Sequence, residues 1–191
     1  MLLEPTPAEE TTSAIIARNP VGPSFCVRIG IRPQVFLLLA PLLFAAHIAE
    51  EAPGLFSAGY VSWFNSFITP KLGESGFVQG NIQPLLITTV LAALLARIGR
   101  LWMAYILLVW LSHFMLANGL FHVIATLVQM RYSPGVVTAT FLYLPFFVWF
   151  VSYLRSELRA SSETIFLIAL LSGLPMFLQT YLVVFKHSQF F

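Results

Sequence analysis

The chain has 191 residues, 58% of them hydrophobic and 9% charged, with a formal net charge of +2 at pH 7. A soluble domain carries about 25% charge, so this composition excludes a soluble globular protein and places most of the chain in a membrane. The positive charges sit at the ends of apolar runs and form no basic patch for nucleic acid. The single cysteine, Cys26, excludes an intrachain disulfide and a cysteine-based zinc cluster.

Residues 1–33 are polar and proline-bearing, and read as a largely disordered tail ending in Arg28 and Arg32. The first apolar run, Gln34 to Ala52, has the basic lead and apolar core of a signal peptide. Its preceding tail is long and acidic, so a retained first span is expected. At about 19 residues it is near the length a span requires. Residues 53–80 are too polar to cross. Tyr60, Trp63, Phe64, Phe67 and Ile68, together with Leu55 and Phe56, share one helical face, which predicts a short interfacial helix, either a plain surface anchor or a roof over the end of the first span.

The second span is predicted at about 81–98, opening at Asn81 with Pro84 in its first turn. The third, Leu101 to Met130, is long enough to reach about 45 Å, so it must tilt, bend near Gly119 or protrude. The fourth lies at about 135–154 and the fifth at about 164–185. The prediction is an all-α membrane protein: about five transmembrane helices in one bundle, residues 34–185, plus the interfacial helix and a short tail, residues 186–191. With the N-terminus inside, seven basic residues lie on the inner side and three on the outer, which favours a cytoplasmic N-terminus and an outer C-terminus.

Two polar stretches interrupt the apolar pattern. His47, Glu50 and Glu51 have helical spacing and share a face, just before Pro53 stops the helix. Carboxylates at a helix C-terminus and a membrane boundary are costly unless met by a cation, a proton or water. Asn118 and His122 are four apart on the third span. In the predicted topology both sites fall toward the outer leaflet. His113, nine residues before His122, is expected on nearly the opposite face, against another helix or an interfacial pocket.

The chain resembles the HXXEE-domain family of bacterial integral membrane proteins, which carry H-x-x-E-E, N-x-x-x-H and Y-x-P-G motifs. Here these read His47-Ile48-Ala49-Glu50-Glu51, Asn118-Gly119-Leu120-Phe121-His122 and Tyr132-Ser133-Pro134-Gly135. The resemblance implies an integral membrane protein of the bacterial inner (plasma) membrane with enzymatic activity, and it brings no substrate.

The residues themselves suit a divalent metal. Two His and one Glu with an open position form a known catalytic zinc set. The inverted zinc motif H-x-x-E-H places ligands first and fifth with a base fourth. By that analogy His47 and Glu51 bind the metal, Glu50 is the general base and His122 is the third ligand. Asn118 would hold a ligand or polarise a carbonyl, and Arg131 and Tyr132 would stabilise an anionic transition state. The expected function is a metal-dependent hydrolase with zinc favoured over iron, acting on a lipid or membrane-tethered substrate near the outer leaflet. A non-haem iron lipid oxidase or hydroxylase uses the same donor set. Two further readings stay open: a proton relay or transporter, and a structural or assembly protein whose polar groups only pair across helices. A relay needs polar groups leading inward, for which the sequence offers Ser112, His113, Thr138 and Thr140.

Overall fold

A computed structural model of the chain describes residues 33–52, 59–68 and 71–188. Five helices are long and apolar enough to cross a membrane: α1 (Pro33–Glu51), α3 (Glu74–Ile98), α4 (Leu101–Gln129), α5 (Val136–Ser156) and α6 (Ser162–Lys186). Between the first two lies the short α2 (Tyr60–Asn65). Among the described residues there is no strand. The protein is an all-α integral membrane protein, as the apolar runs predict. Its outward faces carry large exposed apolar side chains, such as Leu42, Leu86, Val148, Phe166 and Leu171, as a bundle surrounded by lipid requires.

The most buried span is α4, and α3, α5 and α6 pack around it. Its own core residues are Leu107, Leu108, Leu111 and Met115, joined by Leu95 of α3 and Phe150 and Leu154 of α5. Packing of α1 falls on α3 and on the start of α5. The first span is broken at Leu37 and Leu38, because Pro41 has no N–H for the Leu37 carbonyl. Ala40 donates to that carbonyl instead, at 3.1 Å, in a tighter turn.

Two helices differ from the sequence expectation. The second span starts at Glu74, not Asn81, so Pro84 is internal to it. Gly76, Gly80 and Asn81 are poor helix formers, but the cost of about 1 kcal/mol per glycine is offset by packing. Phe77 is buried and its ring lies 6.0 Å from that of Tyr60. Glu74 also sits in the first turn, where the helix dipole favours a carboxylate. The interfacial helix runs from Tyr60 to Asn65; the predicted contributions of Leu55 and Phe56 lie outside the described residues, as does the tail before Pro33. Trp63, Phe64 and Ile68 are buried against Phe121 and Ala125 of α4 and Val183 and Val184 of α6. That packing fixes α2 as a roof at the end of the first span.

The third span changes its winding ahead of Gly119. Ser112–Ala117 forms a π-helical segment just ahead of Gly119. A π turn takes up one residue more than an α turn, which rotates the residues before it by about 100° relative to those after it.

Candidate metal centre

His47 of α1 and His122 of α4 converge. Their ring centroids are 5.0 Å apart, and both are buried. Glu51 lies between them. Its Oε1 is 3.1 Å from His122 Nε2 and 3.6 Å from His47 Nε2. One ligand atom from each of the three residues lies within 4.8 Å of the others. Ligands held about 2.0–2.2 Å from one tetrahedral ion stand roughly 3.3 Å apart, so the group has close to the required size.

Proton bookkeeping around the rings supports a cation between them. Thr138 Oγ1 donates to Glu50 Oε2 at 2.5 Å, so the 2.7 Å contact from His47 Nδ1 must be donated by the imidazole. This fixes the tautomer and leaves His47 Nε2 as an acceptor, 3.6 Å from the Glu51 carboxylate. His122 Nδ1 contacts Ser133 Oγ at 3.0 Å, while its buried Nε2 has no hydrogen-bond partner. Two imidazole nitrogens and a carboxylate oxygen thus lie close together, an arrangement that could hold a cation. The outer bonds from Thr138 and Ser133 are of the type that orients metal-binding histidines.

Glu50 and Glu51 are both buried, but their surroundings differ. Glu50 accepts four hydrogen bonds: from Tyr132 Oη at 2.7 Å, Val137 N at 3.0 Å, and Thr138 N and Oγ1 at 2.7 and 2.5 Å. It ties the end of α1 to the first turn of α5, where free N–H groups favour an anion. The expected general base is therefore occupied as a clamp, reaching His47 only through Thr138. Tyr132, expected at the transition state, belongs to the same clamp. Burial and its bond to Glu50 hold its hydroxyl well above the ordinary tyrosine range. Arg131 is exposed and donates to Ser66 Oγ at 3.2 Å, on the α2 side, away from the ligand group. Asn118 Nδ2 lies 3.1 Å from His47 Nε2 and donates to it. An ion bound at that nitrogen would take the place of this bond and would free the Asn118 amide for another acceptor.

The Pro134-Gly135 turn has a steric role. Gly135 has φ +101°, and a Cβ built there would lie 2.8 Å from Cε1 of both His47 and His122. The bare backbone is the floor on which both rings rest. Tyr143, placed by a second π segment, Ala139–Tyr143, covers His47 with ring centroids 4.4 Å apart. Tyr60 of the roof lies 5.9 Å from His122, and burial and the Glu51 charge raise its hydroxyl well above the usual range.

A family model described as proteins of unknown function with an HXXEE motif matches residues 38–150. The chain belongs to the HXXEE family. No curated protein and no solved structure matches it. Of the letters in the HXXEE motif, the histidine and the second glutamate belong to the group that could hold a metal ion, and the first glutamate bonds to residues 132–138.

The HXXEE site opens onto a cavity of about 140 Å³ whose lining includes Glu51, Asn118, Tyr60, Asn81 and His113. His113 was expected opposite the site, against another helix. It does meet another helix, with Nδ1 3.3 Å from the Ser172 carbonyl, and the π segment also turns it onto this wall. Of the other polar groups named for an inward relay, Thr138 belongs to the site, Ser112 donates to Leu108 O of its own helix, and Thr140 is exposed. Thr138, Ser133, Tyr143 and Tyr60 had no assigned part in the ligand group from the sequence. A hydroxyl one helical turn after Pro-Gly was the available signal for Thr138.

Proposed function

We propose that the protein is a zinc-dependent membrane hydrolase acting on a lipid or membrane-tethered substrate near the outer leaflet. The observation that carries this reading is the convergence of His47 Nε2, Glu51 Oε1 and His122 Nε2 beside an open cavity. Three N/O donors with one side free fit catalytic zinc. A divalent ion there supplies Lewis acidity and a water acidic enough to attack at neutral pH. The outer placement rests on the excess of basic residues at the opposite ends of the spans.

The chain's own groups supply the rest. Asn118, released from His47, donates to the substrate's oxygen. The Tyr60 hydroxyl stays protonated and remains a donor. His113 gives its Nδ1–H to the Ser172 carbonyl, which leaves Nε2 as an acceptor on the cavity wall. That makes His113, and not Glu50, the proton acceptor in this reading. The two-His, one-carboxylate set also suits iron, so a lipid oxygenase is the alternative.

Isotope labelling separates the two. Zinc-loaded protein in nanodiscs is incubated with bacterial lipid extract in heavy-oxygen water, and products are weighed by mass spectrometry. Hydrolysis puts one labelled oxygen from water into the acid product, and the His122→Ala protein gives none. Label taken from heavy dioxygen instead, or product formed equally by His122→Ala, contradicts the hydrolase reading.

A further inference from the structure

A second cavity, of about 350 Å³, lies beside the first. Its walls are Ile48 and Ala52 at the end of α1, Val61 of α2, and Phe77, Val78 and Ile82 of α3, with Glu74 and Asn81 as its polar members. Ile48 and Ala52 directly follow His47 and Glu51, so this groove runs along the flank of the ligand-bearing turn. Asn81 lines both cavities and is the point where the polar space passes into the apolar one. One of its amide N–H groups goes to the Phe77 carbonyl at 3.0 Å, leaving its side-chain oxygen to accept from a head group. Val78 and Ile82 are 47% and 50% exposed on the outside of the bundle. The groove therefore opens sideways, at residues that face lipid.

We propose, resting on the hydrolase reading above, that the two cavities together seat one single-chain acyl amphiphile taken laterally from the bilayer. Its ester or amide carbonyl lies beside Glu51 and Asn118, and its one apolar chain runs past Asn81 between α1 and α3. A tethered peptide fits the groove poorly. Every peptide unit brings an N–H and a C=O that must be paired where water is excluded, and Glu74 and Asn81 are the groove's only polar side chains among the described residues. A hydrocarbon chain has no such demand. Hydrolysis by this arrangement adds water across the acyl bond and releases the acid and the alcohol or amine.

The probe is palmitoyl hydroxamate, whose head binds zinc, carrying a diazirine in mid-chain. It is photolysed on zinc-loaded protein in nanodiscs, and labelled residues are mapped by mass spectrometry. The expected labels are Val61, Val78 and Ile82, removed by excess acetohydroxamate. Ile82→Trp reduces them about tenfold or more by forcing volume into the groove, with zinc content unchanged. Gly80→Leu does the same without straining the fold, because a Cβ at Gly80 meets nothing within 4 Å and enters open space beside the first cavity. Labels spread over outward residues such as Leu170 and Leu174, and indifferent to acetohydroxamate and to both substitutions, overturn the groove assignment while zinc and acetohydroxamate still bind. Failure of the wild type to bind zinc or acetohydroxamate overturns the hydrolase reading itself, and this proposal with it.

Discussion

Glu50 and Glu51 are neighbours in sequence, equally buried, and surrounded in opposite ways. The region around Glu50 is crowded with donors: one phenol, one hydroxyl and two backbone N–H groups from residues 132–138. The region around Glu51 is different: two imidazole nitrogens lie beside it, at 3.1 and 3.6 Å. A buried carboxylate with four donors is satisfied, and its negative charge is an asset to a helix N-terminus. One flanked by two imidazoles could hold a cation between them. The difference gives the two glutamates of a single motif opposite surroundings.

Four substitutions test that division. The largest effect is expected at the floor shared by both regions. Gly135→Ala adds the left-handed cost of ~1–2 kcal/mol to the overpacking of two imidazoles, ~1–3 kcal/mol. A protein with a sharply lowered unfolding midpoint and no bound zinc is the predicted outcome; a variant that binds zinc normally breaks the account of the turn. Glu50→Gln comes next. It replaces an acceptor oxygen by a donor that faces other donors, a loss of ~1–3 kcal/mol. Thermal unfolding in detergent should show the drop, with zinc still bound at high zinc concentration. If Glu50→Gln instead loses zinc outright at an unchanged midpoint, Glu50 is a ligand and not a clamp.

Thr138→Val sharpens the boundary between the regions, since Thr138 Oγ1 joins His47 to Glu50. Zinc affinity is expected to fall about 10–100-fold, the usual effect of removing an orienting partner. Competition with a fluorescent chelator measures it, and Thr138→Ser should recover most of the loss. The fourth substitution is Tyr132→Phe, about 1.5–3 kcal/mol for the loss of a hydrogen bond to a charged carboxylate. The Tyr132 hydroxyl is raised above its unfolded value. Its stabilising bond is therefore complete below about pH 10, the unfolded tyrosine value, and is lost as pH rises through the folded one. The midpoint difference between wild type and Tyr132→Phe should be flat from neutral pH to about pH 9 and shrink only beyond about pH 10. A difference that changes near neutrality would mean that the bond is not the one described.

Much of this was legible in the sequence. Apolar runs located the spans, because a run of that length has few alternatives in water. The i, i+4 spacing of His47 with Glu51, and the placement of His122 on the third span, foretold the ligand group. The division between the two glutamates was not legible. Helical periodicity puts both on one face, and only the position of residues 132–138 in space decides which is satisfied. His113 was missed as part of the cavity because a π turn leaves no mark on a 3.6-residue pattern. The early start of α3 was hidden by Gly76 and Gly80, whose poor propensity is overridden by Phe77 packing on Tyr60.

The most direct test is elemental analysis of detergent-purified protein, comparing wild type with Glu51→Ala, His122→Ala and Glu50→Gln after equal zinc reconstitution. The account predicts near-stoichiometric zinc in wild type and Glu50→Gln, and none in Glu51→Ala or His122→Ala. Wild type without metal, or zinc undiminished in Glu51→Ala and His122→Ala, would contradict it.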